Sequence, residues 1–385
     1  MIKIENLTKM YPGGSKPAVG NLSFTVPTGE ICTLVGPSGC GKTTTLKMVN
    51  RLIEPTSGAI YVPNEDGKLV NVMEVNPIQL RRKIGYVIQQ IGLFPHRTIL
   101  ENICTVPKLL GWEAKRIRRR AEELLEMMNM PLEFLERYPH ELSGGQRQRI
   151  GVARGMAADP PIMLMDEPFG AIDPINRNSL QNEFLRLQEE IQKTILFVTH
   201  DIDEAIKMSD KICILNVGGH LEQFDTPANI LSNPNNDFVD DFVGADRGLK
   251  QLNLIRVEQI MDSQPPLLRA SQSAEEALAF MREGELVSIY VTDTDKHLKG
   301  YITRRDLRGK TGKVEDFLTP IDSNIDPDTT LRDALSEMLI MDYSTACVVD
   351  QKKRVQGLVS VEMIQKKIAE GNIAEEEDSQ EGGGG

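Results

Sequence analysis

The chain has 385 residues, of which 40% are hydrophobic and 26% charged, with a formal net charge of −12. This composition is typical of a folded globular protein, and the length predicts two or three domains. The acidic balance excludes a general nucleic-acid-binding protein. No apolar run reaches the roughly 18 residues of a membrane span, and the N-terminus reads as a strand rather than a signal peptide. Five scattered cysteines without metal-ligand spacing predict reduced thiols in the cytoplasm.

The N-terminal segment predicts β structure, because apolar and polar residues alternate over 2–30. Tyr11 lies there in a turn-rich stretch, Tyr-Pro-Gly-Gly. An aromatic side chain in such a turn can stack on a purine ring, which contributes roughly 1–3 kcal/mol, or can pack on the protein surface. Its position alone leaves both roles open.

A phosphate-binding loop is the central motif. The sequence Gly-Pro-Ser-Gly-Cys-Gly-Lys-Thr at 36–43 follows a short apolar strand, Ile31–Val35, and precedes a predicted helix, Thr44–Asn50. Glycines let successive backbone N–H groups turn toward an anion, and the helix N-terminus adds a positive dipole end. Lys42 is predicted to bind the β- and γ-phosphates, and the Thr43 hydroxyl to bind Mg²⁺. The other loop residues predicted to surround the nucleotide are Ser38, Gly39, Cys40, Gly41 and Thr44.

Polar residues end two further predicted strands. The run Lys83–Gln89 reads as a buried strand, and ligands of open α/β sheets collect at the carboxyl ends of strands. Gln89 is therefore a candidate for the metal or the attacking water, and the neighbouring Gln90 competes with it. The run Thr194–His200 repeats this pattern, which makes His200 a candidate to contact a γ-phosphate and hold the attacking water.

Two adjacent carboxylates, Asp166 and Glu167, follow the apolar run 162–165. A buried parallel strand would place Asp166 at the edge of the sheet, beside the phosphate loop. One carboxylate can hold Mg²⁺, usually through water, and the next can act as a general base. We predict that Asp166 is the metal ligand and Glu167 the catalytic base.

The segment 98–160 is rich in predicted helix. Its basic run, Lys115–Arg120, is either a solvated helix face or a surface for anionic lipid headgroups. Farther on, Ser143 is predicted to be the N-cap of a helix over Arg147–Ala157. The Ser-Gly-Gly turn before this helix is either a second anion site or a simple capped helix start.

In order and spacing these motifs resemble the ATP-binding cassette (ABC) ATPases over about residues 1–245. The resemblance implies an α/β P-loop NTPase fold over 1–244, with a RecA-like core, an antiparallel β subdomain and a helical subdomain at about 90–160. It implies a head-to-tail homodimer that binds ATP and Mg²⁺, with Tyr11 stacked on adenine. It also implies that Gln89 binds the metal and that the helical subdomain docks on a membrane permease subunit. Further nucleotide contacts implied by the resemblance are Ser143, Gly144, Gly145, Gln146 and Asp173.

Beyond a predicted linker at 245–255, the chain contains an internal repeat with an offset of 57 residues. Each repeat reads β-α-β-β-α. The matching pairs include Val257 with Val314, Ala277 with Ala334, Met281 with Met338, and Gly300 with Gly357. The two repeats resemble a tandem pair of CBS domains, an α+β module, at 256–312 and 313–371.

The CBS resemblance implies that the pair binds an adenine nucleotide, such as cyclic di-AMP. The motif for that ligand is present in the first repeat as Gly300, Thr303 and Asp306. In the second repeat Ser360 remains, but Met363 replaces the aspartate, so at most one complete site is expected. A purely structural dimerisation module is the alternative.

A cassette followed by tandem CBS units resembles the ATPase subunits of bacterial osmoprotectant importers, and the stretches 47–55 and 81–96 strengthen this resemblance. It implies glycine betaine, carnitine or choline as solute, with CBS regulation by ionic strength or cyclic di-AMP. It also implies a peripheral position on the cytoplasmic face of the membrane and an extracellular or permease-fused substrate-binding protein as partner. The acidic tail at 372–385 is predicted to be disordered, and its last four glycines read as a linker or cloning remnant.

Three alternatives remain on sequence grounds. An ABC ATPase of DNA repair or translation is disfavoured, because the chain has neither a long coiled coil nor a second cassette. A nucleotide-sensing module is disfavoured by the complete catalytic set. Within transporters, another solute such as an amino acid remains open.

Overall fold

The computed structural model describes residues 1–64, 66–89, 92–170, 172, 174–321 and 325–368, with only the backbone at 174–176. These residues form two compact units, Met1–Ala245 and a second that begins at Asp246. The predictions for Gln90, Asp173 and the tail at 372–385 lie outside the described residues. Within those ranges, no helix combines the length and the apolar character needed to cross a bilayer.

The first unit mixes strands and helices along the chain. Its strands are β1 (Ile2–Lys9), β2 (Val19–Val26), β3 (Ile31–Val35), β4 (Ser57–Pro63), β5 (Leu69–Asn71), β6 (Ile84–Val87), β7 (Ile162–Asp166), β8 (Thr194–Val198), β9 (Lys211–Asn216) and β10 (His220–Asp225). Its helices are α1 (Lys42–Val49), α2 (Pro77–Arg82), α3 (Ile99–Ile103), α4 (Thr105–Leu109), α5 (Ala114–Met127), α6 (Gly144–Met156), α7 (Pro174–Ile191), α8 (Ile202–Met208), α9 (Pro227–Ser232) and α10 (Asp237–Val243).

The central sheet has the order β10-β9-β3-β8-β7-β6, and all its neighbours are parallel except β10 with β9. Every residue of β3, β7 and β8 is buried, which explains why these strands read as continuous apolar runs. Because they are parallel, their carboxyl ends meet at one edge of the sheet. A second, antiparallel sheet has the order β2-β1-β4-β5.

Several element boundaries differ from the predictions by a few residues. Helix α1 begins at Lys42 instead of Thr44, directly after Gly41 in a left-handed conformation at φ 99°. Helix α6 begins at Gly144 instead of Arg147, because the Ser143 hydroxyl accepts a hydrogen bond from the Gln146 N–H at 3.2 Å. Strands β6 and β8 end two residues before the predicted glutamine and histidine, which therefore lie in the following turns.

The basic run at 115–120 lies within helix α5, where its arginines pair mainly with glutamates of the same helix. The Arg118 Nε–Glu122 Oε1 distance is 3.1 Å, and Arg119 and Arg120 reach Glu123 at 3.5 and 3.3 Å. Such i,i+3 and i,i+4 pairs are favoured on a helix surface. Most arginines of this run are therefore charge-paired along the helix, and the Arg120 side chain is largely covered.

The second unit begins with a helix where a linker was predicted. Its elements are α11 (Arg247–Gln251), β11 (Leu267–Arg269), α12 (Ala274–Glu283), β12 (Ser288–Thr292), β13 (Leu298–Thr303), α13 (Arg304–Leu307), α14 (Leu331–Ile340), β14 (Thr345–Val349), β15 (Val355–Ser360) and α15 (361–368). Leu252, within the predicted linker, is buried in one core with Leu331 and Met338. Burial of that apolar side chain holds this segment in the folded unit.

The two sequence repeats exchange segments symmetrically. Tyr301 of the first repeat pairs with Thr319, and Leu358 of the second pairs with Asp262; both pairs are related by the repeat offset. Each pair makes two backbone hydrogen bonds of 2.9–3.0 Å. The repeats therefore form one intertwined module with pseudo-two-fold symmetry.

Candidate active site

A cleft of about 550 Å³ opens at the edge of the central sheet where β3, β7 and β8 end. The phosphate loop forms one side of it. Its lining residues are Ala18, Gly36, Pro37, Ser38, Gly39, Gly41, Lys42, Thr43, Thr44, Glu167, His200 and Phe242. The parallel topology thus gathers residues that are far apart in the sequence into one cavity.

The phosphate loop holds its lysine by its own backbone. Lys42 Nζ donates to the carbonyl oxygens of Gly36 and Pro37 at 2.6 and 3.0 Å. Gly41 cannot be replaced without strain, because of its positive φ and because an added Cβ would meet the Ala18 carbonyl. Cys40, predicted near the nucleotide, is buried behind the loop, with its Sγ 3.7 Å from Lys42 Nζ.

Two of the three predicted metal ligands, Thr43 and Asp166, contact each other beside the phosphate loop. The Thr43 hydroxyl donates to Asp166 Oδ1 at 2.9 Å. Burial raises the pKa of Asp166, while the Thr43 hydrogen bond and the Lys47 charge oppose this shift. A hydroxyl and a carboxylate are hard oxygen donors of the kind that Mg²⁺ prefers, so this pair fits that ion.

Glu167 lies between the two other predicted catalytic residues. Its backbone has a positive φ of 46°, and its N–H donates to the Val198 carbonyl at 2.9 Å, which fixes it to the end of β8. Gln89 Nε2 donates to Glu167 Oε2 at 2.7 Å, and His200 Nδ1 lies 3.2 Å from Oε1. Gln89 thus contacts the carboxylate that we predict to be the general base.

A buried network behind His200 was missed by the sequence analysis. Glu204 of α8 accepts a hydrogen bond from Gln181 Nε2 at 2.9 Å, also hydrogen-bonds the Thr199 side chain, and is close enough to Arg177 for electrostatic attraction. Arg177 Nη2 donates in turn to the Ile172 carbonyl at 3.1 Å. Burial raises the pKa of Glu204. The sequence does not indicate that this glutamate is buried, because its burial depends on packing of α8 against α7.

The Ser-Gly-Gly turn and Tyr11 do not contribute to the lining of this cleft as the structure describes it. Ser143 and Gln146 form a reciprocal capping box at the start of α6. A Cβ added at Gly144 or Gly145 would meet no atom within 4 Å, so the backbone there is open to a partner. Tyr11 is exposed, with Lys9 Nζ 5.4 Å from its ring centre.

The second unit contains a separate cleft of about 400 Å³. Residues related by the repeat line it from both sides, such as Ser288 with Thr345 and Tyr301 with Leu358, so it lies on the pseudo-two-fold axis. The predicted ligand residues Thr303 and Ser360 do not line it, but each pairs across the ladder with a lining residue, Ser288 and Thr345 respectively.

Thr303 and Asp306 hydrogen-bond each other instead of leaving their polar atoms free. The Thr303 hydroxyl donates to Asp306 Oδ2 at 2.6 Å, and the Thr303 N–H donates to the same oxygen at 3.0 Å. These bonds form the cap of α13 and lower the pKa of Asp306. Gly300 packs against the Thr319 carbonyl with no room for a side chain.

The phosphate loop, the Thr43–Asp166 pair that suits Mg²⁺, and Glu167 between Gln89 and His200 lie together at one edge of a parallel sheet. This arrangement defines the nucleotide-binding cassette of an ATP hydrolase. Comparison with known families agrees: the ABC transporter family matches residues 19–170, and the CBS domain family matches 257–311 and 314–370. The chain belongs to the ABC transporter ATPases, in the group in which the cassette is followed by tandem CBS domains. Proteins of this group hydrolyse ATP to drive transport and act with membrane permease subunits.

Similar proteins align over nearly the whole chain. The carnitine transport ATP-binding protein OpuCA of Listeria monocytogenes is 49% identical over 94% of this chain and 90% of its own length. The glycine betaine/carnitine/choline transport ATP-binding protein OpuCA of Bacillus subtilis is 48% identical, with 94% of each chain covered. The osmoprotectant import ATP-binding protein OsmV of Salmonella typhimurium is 46% identical, with 96% of this chain and 97% of its own length covered.

Solved structures agree with the fold. The dimeric ABC cassette MJ0796, described in a post-hydrolysis state with ADP and Pi, has a TM-score of 0.52 and 34% identity, and covers 59% of this chain and 99% of its own. The CbiO1 subunit from Clostridium perfringens is 24% identical with a TM-score of 0.55, and covers 66% of this chain and 94% of its own. The predicted fold class, an ABC cassette followed by a tandem CBS module, is confirmed.

Proposed function

We propose that this chain is the ATP-hydrolysing subunit of an importer for quaternary-ammonium osmoprotectants, held peripherally at the cytoplasmic face of the membrane, and that its CBS pair regulates transport. The observation that carries the catalytic part is the position of Glu167 between Gln89 and His200 beside the phosphate loop. The solute class is supported by the names of the relatives, which specify carnitine, glycine betaine, choline or osmoprotectants.

In this proposal the protein supplies positioning and electrostatics, since phosphoryl transfer requires little covalent chemistry from the enzyme. Glu167 accepts a proton from the attacking water as a general base, and Gln89 and His200 hold its carboxylate in place. Lys42 binds the β- and γ-phosphates. Thr43 and Asp166, with Gln89 as the third predicted ligand, would hold Mg²⁺, which neutralises charge on the phosphate oxygens when bound.

The test of this assignment is Glu167→Gln, which keeps the shape of the side chain but removes the base. We expect the variant to bind ATP normally and to lose most hydrolysis, measured as phosphate release by the chain together with its permease. Glu190→Gln, an exposed change on α7, is the matched control. Normal turnover in the Glu167 variant would remove the general-base assignment.

We propose a head-to-tail pair of cassettes, in which Ser143, Gly145 and Gln146 of one copy close on the nucleotide of the other. Its support is the open backbone at Gly144 and Gly145, together with the absence of this turn from the described lining of its own chain's cleft.

A groove of about 280 Å³ on the first unit is proposed as the permease-docking surface. It is lined in part by Arg81, Tyr86, Ile88, Phe94 and Arg154.

The solute is tested by uptake. Proteoliposomes that contain the chain, its permease and its extracellular or permease-fused substrate-binding protein should accumulate radiolabelled glycine betaine, carnitine or choline when loaded with ATP. An amino acid such as glutamine serves as the competing substrate. ATP-driven uptake of the amino acid without uptake of any quaternary amine would replace the proposed solute class and leave the ATPase assignment unchanged.

For the CBS pair we propose an adenine-nucleotide ligand, with cyclic di-AMP as the first candidate. The cleft on the pseudo-two-fold axis supports this, because Tyr290, Tyr301 and Tyr343 offer aromatic faces for bases. Calorimetry on the full chain with Lys42→Ala, which weakens binding at the cassette, should detect saturable binding of cyclic di-AMP, AMP or ATP. Binding should disappear in Tyr343→Ala. Absence of binding by all three would favour a dimerisation role for the pair.

We also propose that exposed charges contribute to ionic sensing. The Arg118–Glu122 and Arg118–Glu136 pairs are exposed, and a Debye length of about 8 Å at physiological salt screens such pairs. Neutralising Arg118–Arg120 to glutamine should shift the salt concentration that activates transport in liposomes. The same substitutions test the proposed contact with anionic lipid, because they should weaken binding to vesicles that contain phosphatidylglycerol. An unchanged salt response would exclude this run as a sensor.

A further inference from the structure

Helix α10, the last helix of the first unit, sends an aromatic side chain into the nucleotide cleft. Phe242 lines the same cavity as Lys42, Thr43 and Glu167. The side chain is half-buried, so one part of it packs in the protein and another part faces the cleft. None of the motifs recognised in the sequence includes this residue.

The orientation of α10 is set by polar side chains of strand β10. Gln223, which is buried, donates to the Asn233 carbonyl at 2.9 Å and accepts from the Asn235 N–H at 3.0 Å. Glu222 accepts from Asn236 Nδ2 at 2.9 Å, and Asn236 in turn caps α10. Because β10 belongs to the central sheet, the start of α10 is fixed to the sheet that carries the phosphate loop.

A second aromatic ring supports the position of Phe242. Phe238, one turn earlier, stacks on Phe242 with ring centres 6.0 Å apart and an angle of 13° between the planes. Phe238 itself is not among the residues that line the cleft. Phe242 therefore faces the cleft that would hold the nucleotide, whereas Phe238 does not line it.

We propose that Phe242 contacts the adenosine part of the bound nucleotide and is a binding residue for the ATPase reaction. A phenyl ring offers no ligand for phosphate or Mg²⁺, whereas its face and edge suit a base or a ribose. The phosphate loop and the Thr43–Asp166 pair account for the charged end of the nucleotide. The apolar side chains in the lining are Ala18, Pro37 and Phe242, and Phe242 has the largest apolar surface to offer to the uncharged end.

Helix α10 ends at Val243, and the second unit begins at Asp246, so the proposed contact lies on the last helix of the cassette. The inference rests on ATP binding by the cassette and is independent of the solute proposed above.

The experiment measures two ligands on the full chain. The first is the ATP analogue AMP-PNP with Mg²⁺, and the second is tripolyphosphate, which has no adenosine. Phe242→Ala should raise the Kd of AMP-PNP about tenfold, or about 1.4 kcal/mol, and should leave the Kd of tripolyphosphate unchanged. Phe238→Ala, which removes the same volume from the same helix, should change the AMP-PNP affinity much less. Phe242→Trp should retain wild-type affinity.

Hydrogen exchange adds a readout on the helix itself. AMP-PNP should slow exchange of the α10 amides in the wild type and not in Phe242→Ala. If Phe242→Ala does not fold, Phe242→Leu, which keeps apolar volume without the aromatic face, carries the same comparison. Equal loss of affinity for both ligands, or equal effects of the Phe238 and Phe242 substitutions, would overturn the proposal.

Discussion

At the residue scale, the buried side chain of Glu204 links the turn before His200 to the turn after Glu167. It contacts Thr199, directly before His200, and it faces Arg177, which binds the carbonyl of Ile172 in the turn after Glu167. The Glu204 carboxylate thus connects the two turns that flank Glu167, the proposed general base. We treat Glu204 as a positioning residue, because it touches neither the predicted nucleotide site nor the attacking water.

We predict that Glu204→Gln lowers kcat for ATP hydrolysis several-fold with little change in KM. Burial raises the pKa of Glu204, so its ionised form is less favourable in the folded than in the unfolded protein. The stability associated with this shift is present below the unfolded pKa and is lost as pH rises through the folded pKa. The glutamine variant should therefore be as stable at pH 7 as the wild type, or more stable, by urea unfolding. A loss of kcat that merely tracks a loss of stability would contradict the positioning role.

The pKa of Asp306 is shifted in the opposite direction, and this residue caps a helix. Its pKa is lowered, first by the Thr303 hydroxyl and then by the Thr303 N–H, in the cap of α13. A depressed aspartate pKa contributes stability above the unfolded pKa of about 3.9 and loses it as pH falls through the folded pKa. The predicted ligand residue therefore also has a structural role.

We predict that Asp306→Asn destabilises the second unit at pH 7 and that the difference from the wild type shrinks toward pH 3. Loss of a helix cap costs about 1 kcal/mol. Urea unfolding at several pH values measures this, and Asp295→Asn, in an exposed turn, is the control. A destabilisation that stays constant from pH 7 to pH 3 would argue that the charge of Asp306 is not what the cap requires.

At the scale of elements, the exchanged segments of the CBS pair depend on two equivalent glycines. A Cβ at Gly357 would lie 2.6 Å from the Asp262 carbonyl oxygen, where the first repeat pairs with β15. No positive φ is involved at Gly357, so the close approach of two backbones is the whole reason for glycine there. Gly300 makes the equivalent close approach to the Thr319 carbonyl, and its φ of +155° is a second reason for glycine there.

We predict that Gly357→Ala destabilises the second unit by about 1–3 kcal/mol, as is usual when a well-packed site is overfilled. Gly284→Ala is the matched control, because its new methyl group would meet the flexible Leu286 side chain at 3.3 Å instead of backbone. Chemical denaturation followed by circular dichroism gives both values. Equal stability of the two variants would mean that the Asp262–Leu358 pairing can move without cost.

At the scale of the whole molecule, the chain holds separate cores for its two units. The cores of the first unit surround the central sheet, and those of the second unit centre on Leu331 and Val291. Separate cores allow separate unfolding transitions, since each unit buries its own apolar surface. A ligand that binds one folded unit stabilises that unit by mass action.

We predict two calorimetric transitions for the full chain, and we expect Mg²⁺ and AMP-PNP to raise the cassette transition through binding at Lys42. At a ligand concentration of 100 times Kd the gain is about 2.7 kcal/mol. Lys42→Ala should remove this shift and leave the other transition unchanged. A single transition, or a second transition that nucleotide shifts in the wild type but not in the Lys42 variant, would contradict independent folding of the units.

The sequence alone determined the fold class, the phosphate loop, the carboxylate pair and the internal repeat. These features are local, because strand–loop–helix signals and capping patterns are written within a few neighbouring residues. Helix and strand limits were predicted only to within a few residues, as at α1 and β6, where cap geometry and pairing partners decide the ends. The segment 245–255 was mistaken for a linker because its one buried leucine gives no periodic signal.

Only the tertiary structure decided which distant residues meet. The Thr43–Asp166 and Gln89–Glu167 contacts follow from the parallel order of β3, β8, β7 and β6, and that order is not encoded in any short segment. The hydrogen bond of Glu204 to Gln181 and the place of Phe242 in the cleft lining likewise join elements that are far apart in the chain. Short sequence motifs thus identify the candidate site residues, and long-range packing determines which of them contact each other.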